Sequence, residues 1–583
     1  MYSGKVIFMG LIYEKWTGRD NIRPESTDQA RELVKKLRLF KDIEKADYGT
    51  ALLDEPARSL IEDIKNNKKI VVWGDYDVDG VTSVISLLLF FQALDYRNIS
   101  YKIPDRFTEG YGLNETSLNL IIDEKRPDTI ITVDAGITSK NEALICKNRG
   151  VKLIVTDHHK IDAARLPDCI ILNPKFHENP DYQELCGCAT LFILLRHISR
   201  CSEFIKLKTE KNVDLWVTLT ALAGVATICD IVPLNSVNHF LARRGMKCLA
   251  CSRHPVLKTL MKKCAPKEVI QGLVDEVSVA FRVGPVINSV GRLSKAENMV
   301  KWFFQKDSEA NVAKMLNFNK ERKEIQAHME TLALPLARAE SDNSLIMIGH
   351  PDFHEGVVGI LASRLVDKFY KPVLIYSESN GICKGSGRSI KGFSLYNALF
   401  ECQKKGLFEK FGGHDMACGF SFKRENENLV KKEILEYALN VYKNNPDIWI
   451  SDISFDFELP FNLVNLDTAD AVESLKPFGN GFEQPVFMVR AQIKRSGYYV
   501  SKKEGPLKGK PAHSWFEIGP VPELALDTES KGGSFARNHR IVFFNRVFEQ
   551  FQGIYEFLFK IESDAYGGKR KVKLMGLDMR KVF

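Results

Sequence analysis

Asp75, Asp77 and Asp79 close the stretch VVWGDYDVDG (71–80), three carboxylates within five residues after an apolar run. Side chains at i, i+2 and i+4 of an extended segment share one face. Two like charges roughly 4 Å apart repel by about 1 kcal/mol in water and about 4 kcal/mol at an effective dielectric of 20. Converging carboxylates must therefore take up protons, splay into solvent or bind cations. Protonation is costly at pH 7, and splaying gives no reason for the preceding VVW. A polar turn after a strand also uses Asp and Gly; from this stretch alone both readings stand, and cation binding is the one to test.

Two further apolar runs end in polar groups. TIITVDAG leads to Asp134, and KLIVTDHH to Asp157, His158 and His159. From about Ala51 to Asp230 such runs alternate with amphipathic stretches, SLNLIIDEK and KNEALICKNRG among them. The alternation predicts βαβ units and a parallel sheet. Ligands of such sheets bind beyond the carboxyl ends of the strands, so these residues should line one edge. A further acid, Asp230, follows LTALAGVATICD; alone it reads as an acid at a helix C-terminus. Carboxylates and imidazoles without thiolate suit Mn²⁺ or Mg²⁺, and the histidines favour Mn²⁺. The set is too large for one ion. Two ions about 3.5–4 Å apart, bridged by a carboxylate, would use it for in-line displacement at phosphorus. A spare histidine could contact the scissile phosphate or protonate the leaving oxygen.

The chain that must position these groups has 583 residues, 44% hydrophobic and 27% charged. That is ordinary globular composition, long enough for roughly three to four domains. Its start, MYSGKVIFMGLIYEKW, lacks a secretory pattern, and its longest apolar run, Val84–Leu94, is too short to span a bilayer. A soluble cytoplasmic protein is the expectation. Twelve cysteines do not indicate a disulfide framework, and Cys248, Cys251, His254 and Cys264 lack the second tight pair usual in zinc sites. A net charge of +8 is compatible with a polyanionic partner without establishing one.

Residues 301–338 read as a long charged helix joining two lobes. Residues 344–441 form a second α/β-like block holding two glycine-rich turns, GICKGSGRSI and KFGGHDMACGF. Such loops let backbone amides approach a phosphate, with Arg as the bidentate partner. From about Asp452 the chain is aromatic-rich and strand-like, with basic tracts at 502–510 and 567–573. Short strands suggest a small β-barrel, and aromatics interleaved with cations suit single-stranded nucleic acid.

In order and spacing, DYDVDG, TVDAGIT, VTDHHK and TICDIVPL resemble the four motifs of the DHH phosphoesterase superfamily. IPDRFTEGYGLNE, FRVGPVINSVGRL, EGVVGILASRL, GSGRSIKGFSL, FGGHDMACGF and LKPFGNGFEQPVF narrow the resemblance to the bacterial RecJ family of single-strand-specific 5′→3′ exonucleases, over roughly residues 55–490. The resemblance implies an α/β protein. Its parts are an N-terminal segment (1–55), a parallel-sheet DHH catalytic domain (56–300), a connecting helix (301–340), a smaller α/β DHHA1 domain (341–445) and an OB-like β-barrel (446–583).

It also implies site roles: Asp75, Asp77, Asp79, Asp134, His158 and Asp230 as ligands of two divalent ions, Mn²⁺ preferred and Mg²⁺ possible. Asp134 would bridge the ions, and His159 would contact the scissile phosphate. Asn288, Arg292, Arg364, Ser386, Arg388 and His414 would hold substrate phosphates. Val286 stands where the family commonly has Arg, CGCATLF (186–192) is less glycine-rich than its counterpart, and 519–540 looks like an insertion. The implied activity is processive exonucleolysis of single-stranded DNA in repair and recombination. A single-strand-binding protein and a RecQ-like helicase are the implied partners, and a monomer is the default. A phosphodiesterase of short oligonucleotides or cyclic dinucleotides would share the DHH and DHHA1 parts but is typically shorter. A non-catalytic scaffold would have degenerate metal motifs, and all four are intact here.

Overall fold

The computed structural model describes residues 13–19, 22–37, 49, 51–272, 274–500, 511–521, 538–548, 551–564 and 570–582. The chain divides into two units. One comprises Phe40–Lys323 and Lys476–Glu483; the other comprises Met1–Leu39, Glu324–Leu475 and Gln484–Phe583. The first strand among the described residues, β1 (Lys15–Gly18), belongs to the second of these units.

The first unit is built on the predicted parallel sheet. Its strands are β2 (Ile70–Trp73), β3 (Ile99–Lys102), β4 (Thr129–Val133), β5 (Lys152–Thr156) and β6 (Ile170–Leu172), in the order β3-β2-β4-β5-β6. All pairings are parallel. β2 and β4 are buried along their whole length, as expected of Val/Ile-rich strands covered on both faces. From β2 the chain passes to β3 on one side and then to β4 on the other. Ligands bind where the connection reverses in this way, beyond the strands' carboxyl ends.

The helix Val78–Ala93 starts at that point and is buried nearly all round. It contains most of the apolar run noted in the sequence, which is thus a core helix. Among the described residues no single helix is long and apolar enough to cross a membrane.

The connecting helix runs Ser308–Ala339, not from residue 301. Residues 301–304 end a separate helix, Glu297–Phe304. The break arises at Asp307, whose carboxylate accepts the Ala310 N–H at 3.0 Å and starts the new helix. That helix passes from one unit into the other.

The second unit holds a sheet of β7 (Ile346–Gly349), β8 (Val373–Ser379), β9 (Ile382–Arg388), β10 (Lys410–His414) and β11 (Ala417–Lys423), ordered β10-β11-β9-β8-β7. The two glycine-rich segments read as turns are in fact β9 and the β10–β11 hairpin. Cross-strand pairing and the buried Cys383, Cys418, Phe420 and Phe422 hold them extended against glycine's poor strand preference.

Beyond β12 (Asp452–Phe455), which pairs with β1, lie β13 (Phe457–Glu458), β14 (Phe487–Val500), β15 (Pro511–Gly519), β16 (His539–Phe543), β17 (Gly553–Asp564) and β18 (Lys571–Lys581). Pairing of β14 with β17 closes these last six into the expected barrel. The basic tract 502–510, residues 567–569 of the second tract and 522–537 of the proposed insertion lie outside the described residues.

Candidate metal centre

The sheet brings the predicted acids and histidines together. Asp75–Asp79 follow β2, Asp134 follows β4, His158 and His159 follow β5, and Asp230 caps the helix Val213–Cys229. Three sets have ligand atoms within 4.8 Å of one another: Asp75, Asp77 and Asp134; Asp79, His158 and Asp230; and Asp134, His158 and His159. Asp134 and His158 are thus shared between sets.

Local structure fixes each group. The Asp77 carboxylate caps the helix Val78–Ala93, accepting the N–H groups of Asp79 (2.9 Å) and Gly80 (3.1 Å). Asp79 is held by the N-terminus of the helix Gly187–Cys201, through Gly187 N–H (2.6 Å) and Cys188 N–H (2.8 Å). A helix N-terminus favours such an anion. A Cβ on Gly187 would lie 2.7 Å from the Asp134 carboxylate, so glycine alone fits there. Asp134 itself has φ +59, a conformation Asp and Asn tolerate better than most residues.

Asp157 is fully buried and saturated. It accepts the backbone N–H groups of His158, His159 and Ile137, and bonds His159 Nδ1 at 2.8 Å. It orients His159. Tyr111 assists: its hydroxyl lies 2.9 Å from His159 Nδ1 and donates to Asp134 O at 3.3 Å. Sequence reading gave Tyr111 no role. Its signal was the GYG of the 103–115 motif, where flanking glycines at φ +83 and +79 aim the ring. Arg106, from the same motif, stacks over Tyr76, 4.1 Å from the ring centroid, and counters the charge of Asp75.

The electrostatics call for cations. Burial, then the charge of Asp77, pushes Asp75 up to about 8. Burial and Asp77 raise Asp79 to about 6, against the pull of the Cys188 and Gly187 N–H groups. Burial and the neighbouring carboxylates hold Asp134 and Asp230 well above the usual carboxylate range. Burial, then His159, drives His158 down to about 3, so its ring is neutral at pH 7. His158 Nε2 nonetheless sits 3.2 Å from Asp134 Oδ1, 3.6 Å from Asp230 Oδ2 and 3.8 Å from Asp79 Oδ2. Asp75 Oδ1, Asp134 Oδ1 and His158 Nε2 are buried without a hydrogen-bond partner. Orphaned acceptors of this kind facing one another are costly unless a cation sits among them. Oxygen and imidazole donors suit hard divalent ions such as Mn²⁺ and Mg²⁺. The residues fit.

Ion binding must displace the protons the raised carboxylates carry. At pH 7, Mn²⁺ loading is expected to release at least one proton per chain, from the raised carboxyls of Asp75, Asp134 and Asp230. Calorimetric heats that differ between Pipes and Tris by their ionisation enthalpies would verify this; buffer-independent heats would refute it.

The predicted phosphate-binding residues fall in two places. In the first unit, Asn288 and Arg292 lie on the helix Gly284–Leu293, and Asn288 Oδ1 is buried without a partner. Val286 is core, which accounts for an apolar residue at that position. In the second unit, Arg388 Nη1 donates to Ser386 Oγ (2.8 Å) and Gly387 O (2.7 Å). The start of the helix Val358–Phe369 meets this pair: a Cβ on Gly359 would lie 3.0 Å from Arg388 Nη2. His414 is exposed at the end of β10. Arg364 does not stand free; its guanidinium pairs with Glu330. His254 stacks on Phe303, with centroids 4.1 Å apart.

Comparison with known proteins matches the chain to the DHH family, N-terminal domain (69–223), the DHHA1 domain (342–440) and the RecJ OB domain (455–514). The single-stranded-DNA-specific exonuclease RecJ of Bacillus subtilis is 33% identical over 79% of this chain, and this chain spans only 57% of that relative. The RecJ of Haemophilus influenzae is 30% identical, covering 76% of this chain and 77% of the relative. The crystal structure of RecJ with Mn²⁺ from Thermus thermophilus has the same fold, with a TM-score of 0.79 at 24% identity over 98% of this chain and 80% of that one.

Proposed function

Because the chain belongs to the RecJ family, we propose that it is a metal-dependent exonuclease that hydrolyses single-stranded DNA from the 5′ end and releases nucleoside 5′-monophosphates. The observation that carries this reading is the convergence of Asp75, Asp77, Asp79, Asp134, His158 and Asp230 at the sheet's reversal point, with three orphaned ligand atoms. Asp75, Asp77 and Asp134 are assigned to one ion, Asp79, His158 and Asp230 to the other, with Asp134 shared. Bound divalent ions, preferentially Mn²⁺, supply an activated water and neutralise phosphoryl oxygens. Asp79 and Asp134 are therefore counted with the catalytic groups.

His159 acts on the phosphate. Burial would lower its pKa, but the bond to Asp157 outweighs that and raises it to about 9. It thus keeps a proton at neutral pH. With Nδ1 held by Asp157, Nε2 is the atom that donates to the scissile phosphate or the leaving oxygen.

Residues 56–300 form the catalytic domain in this reading, the helix Ser308–Ala339 the connection, residues 341–445 a phosphate-holding domain and 446–583 the barrel that guides the strand. Asn288, Arg292, Ser386, Arg388 and His414 hold phosphates; Arg364 would first have to leave Glu330. A cytoplasmic setting with a single-strand-binding protein and a RecQ-like helicase as partners completes the proposal.

Arg388→Ala is expected to weaken strand binding by about tenfold or more, the worth of a lost charge-assisted hydrogen bond. Mn²⁺ affinity should not change. Unchanged strand affinity at moderate salt would contradict the assignment. Competition between substrates tests the whole reading. Rapid degradation of a long single strand, with a blunt duplex left intact, is expected. An inert long strand beside rapid cleavage of two- to five-nucleotide substrates would overturn it.

A further inference from the structure

The sheet β10-β11-β9-β8-β7 leaves one face open at its β10–β11 end. Side chains alternate along a strand, so residues paired across strands share a face. Cys383, Cys418, Phe420 and Phe422 point into the core. The opposite face carries three cross-strand rows. His414, Ala417 and Arg388 form the first, Gly412, Gly419 and Ser386 the second, Lys410, Ser421 and Lys384 the third. Successive rows are two residues, about 7 Å, apart.

The first two rows hold the residues proposed to grip a phosphate. The third adds cations, and Lys423 continues β11 on the same face. Lys384 lies 3.5 Å from Glu355 and Lys423 4.0 Å from Glu425. Lys410 is exposed and has no ion pair among the described residues.

The glycines of the second row are the informative feature. Gly412 and Gly419 are directly paired, and both are exposed. A Cβ on Gly412 would meet nothing within 4 Å, and one on Gly419 only Gly385 O at 4.0 Å; neither residue has a positive φ. The fold therefore does not require glycine at either position. Glycine inside a strand costs roughly 0.5–1 kcal/mol relative to alanine. It is kept where another backbone approaches closely. The lysine beyond the glycines states the sign of that backbone.

We propose that this face is a track for the sugar–phosphate backbone of the substrate strand. One phosphate sits at Ser386, Arg388 and His414, the Gly412–Gly419 pair lets the backbone lie flat on the sheet, and Lys410 holds the adjoining phosphate. The proposal rests on the single-strand reading above and extends it to residues outside that phosphate grip.

The test uses the full chain carrying Gly419→Val or Lys410→Ala. A β-branched residue favours an exposed strand, so Gly419→Val should keep or raise the melting temperature. It should nonetheless weaken binding of a 30-nucleotide strand by about tenfold, the scale of one lost charge-assisted contact. Lys410→Ala should weaken it a few-fold and flatten the log–log salt dependence by about 0.7, the value for one single-strand phosphate contact. Binding is read by anisotropy in EDTA, independently of hydrolysis, so an inactive parent would count against the exonuclease reading alone. Unaltered affinity and salt slope in Lys410→Ala would overturn the track, as would a stable Gly419→Val that binds like the parent.

Discussion

Asp134→Asn is expected to abolish hydrolysis and yet yield a protein at least as stable as the parent without metal. Asp134 belongs to two of the three ligand sets, so its loss weakens both ion positions at once. Ions at such a centre contribute several kcal/mol to transition-state stabilisation, and each 1.36 kcal/mol is tenfold in rate, so the loss should be about 10³-fold or more. Asparagine keeps the shape and tolerates the left-handed backbone, which alanine does less well. Metal-free stability should hold or rise because the substitution removes a carboxyl group whose ionised form burial, then Asp79, Asp77 and Asp230, disfavour. Rates with Mn²⁺ and melting curves in EDTA give both readouts. Parental activity in this variant would remove Asp134 from the centre.

Gly187→Ala should be nearly as damaging, although it adds one methyl group and removes no ligand. That methyl would stand 2.7 Å from Asp134 Cβ and Oδ1, at the helix N-terminus that also holds Asp79. Either Asp134 or the helix must move, and each shift disturbs a ligand. Residues that orient metal ligands typically cost 10–100-fold on mutation, and this one disturbs two, so about 100-fold loss is expected. Mn²⁺ affinity should fall in parallel while the melting temperature in EDTA changes little. Intact Mn²⁺ affinity would mean that the helix start yields without moving Asp134 or Asp79.

The metal centre was legible because a parallel sheet delivers the ends of its strands to one edge, so apolar runs closing on Asp75–Asp79, Asp134 and His158–His159 had to meet. Asp230 was less legible: on local signals it is only an acid capping a helix, and the structure brings it to His158 through tertiary packing. Asp157 shares the DHH run with the ligands, yet its backbone partners turn it into the support of His159. Tyr111 arrives from a loop with no periodicity, and Gly187 matters through a close approach that a sequence does not display.

Glycine also misled. β9, β10 and β11 read as turns because glycine usually marks turns, whereas here pairing and a buried opposite face impose strands. The start of the connecting helix was hidden in a charged run, where Asp307 looks like any surface acid until its capping bond is seen.

Loaded with divalent ions, this acid–histidine centre is proposed to shorten a DNA strand from its 5′ end. The most direct measurement follows one 5′-labelled and one 3′-labelled strand of the same sequence with Mn²⁺ and with EDTA. Immediate release of labelled mononucleotide from the first, progressive shortening of the second and no reaction in EDTA are expected. Labelled mononucleotide appearing first from the 3′ label, or cleavage that persists in EDTA, would contradict it.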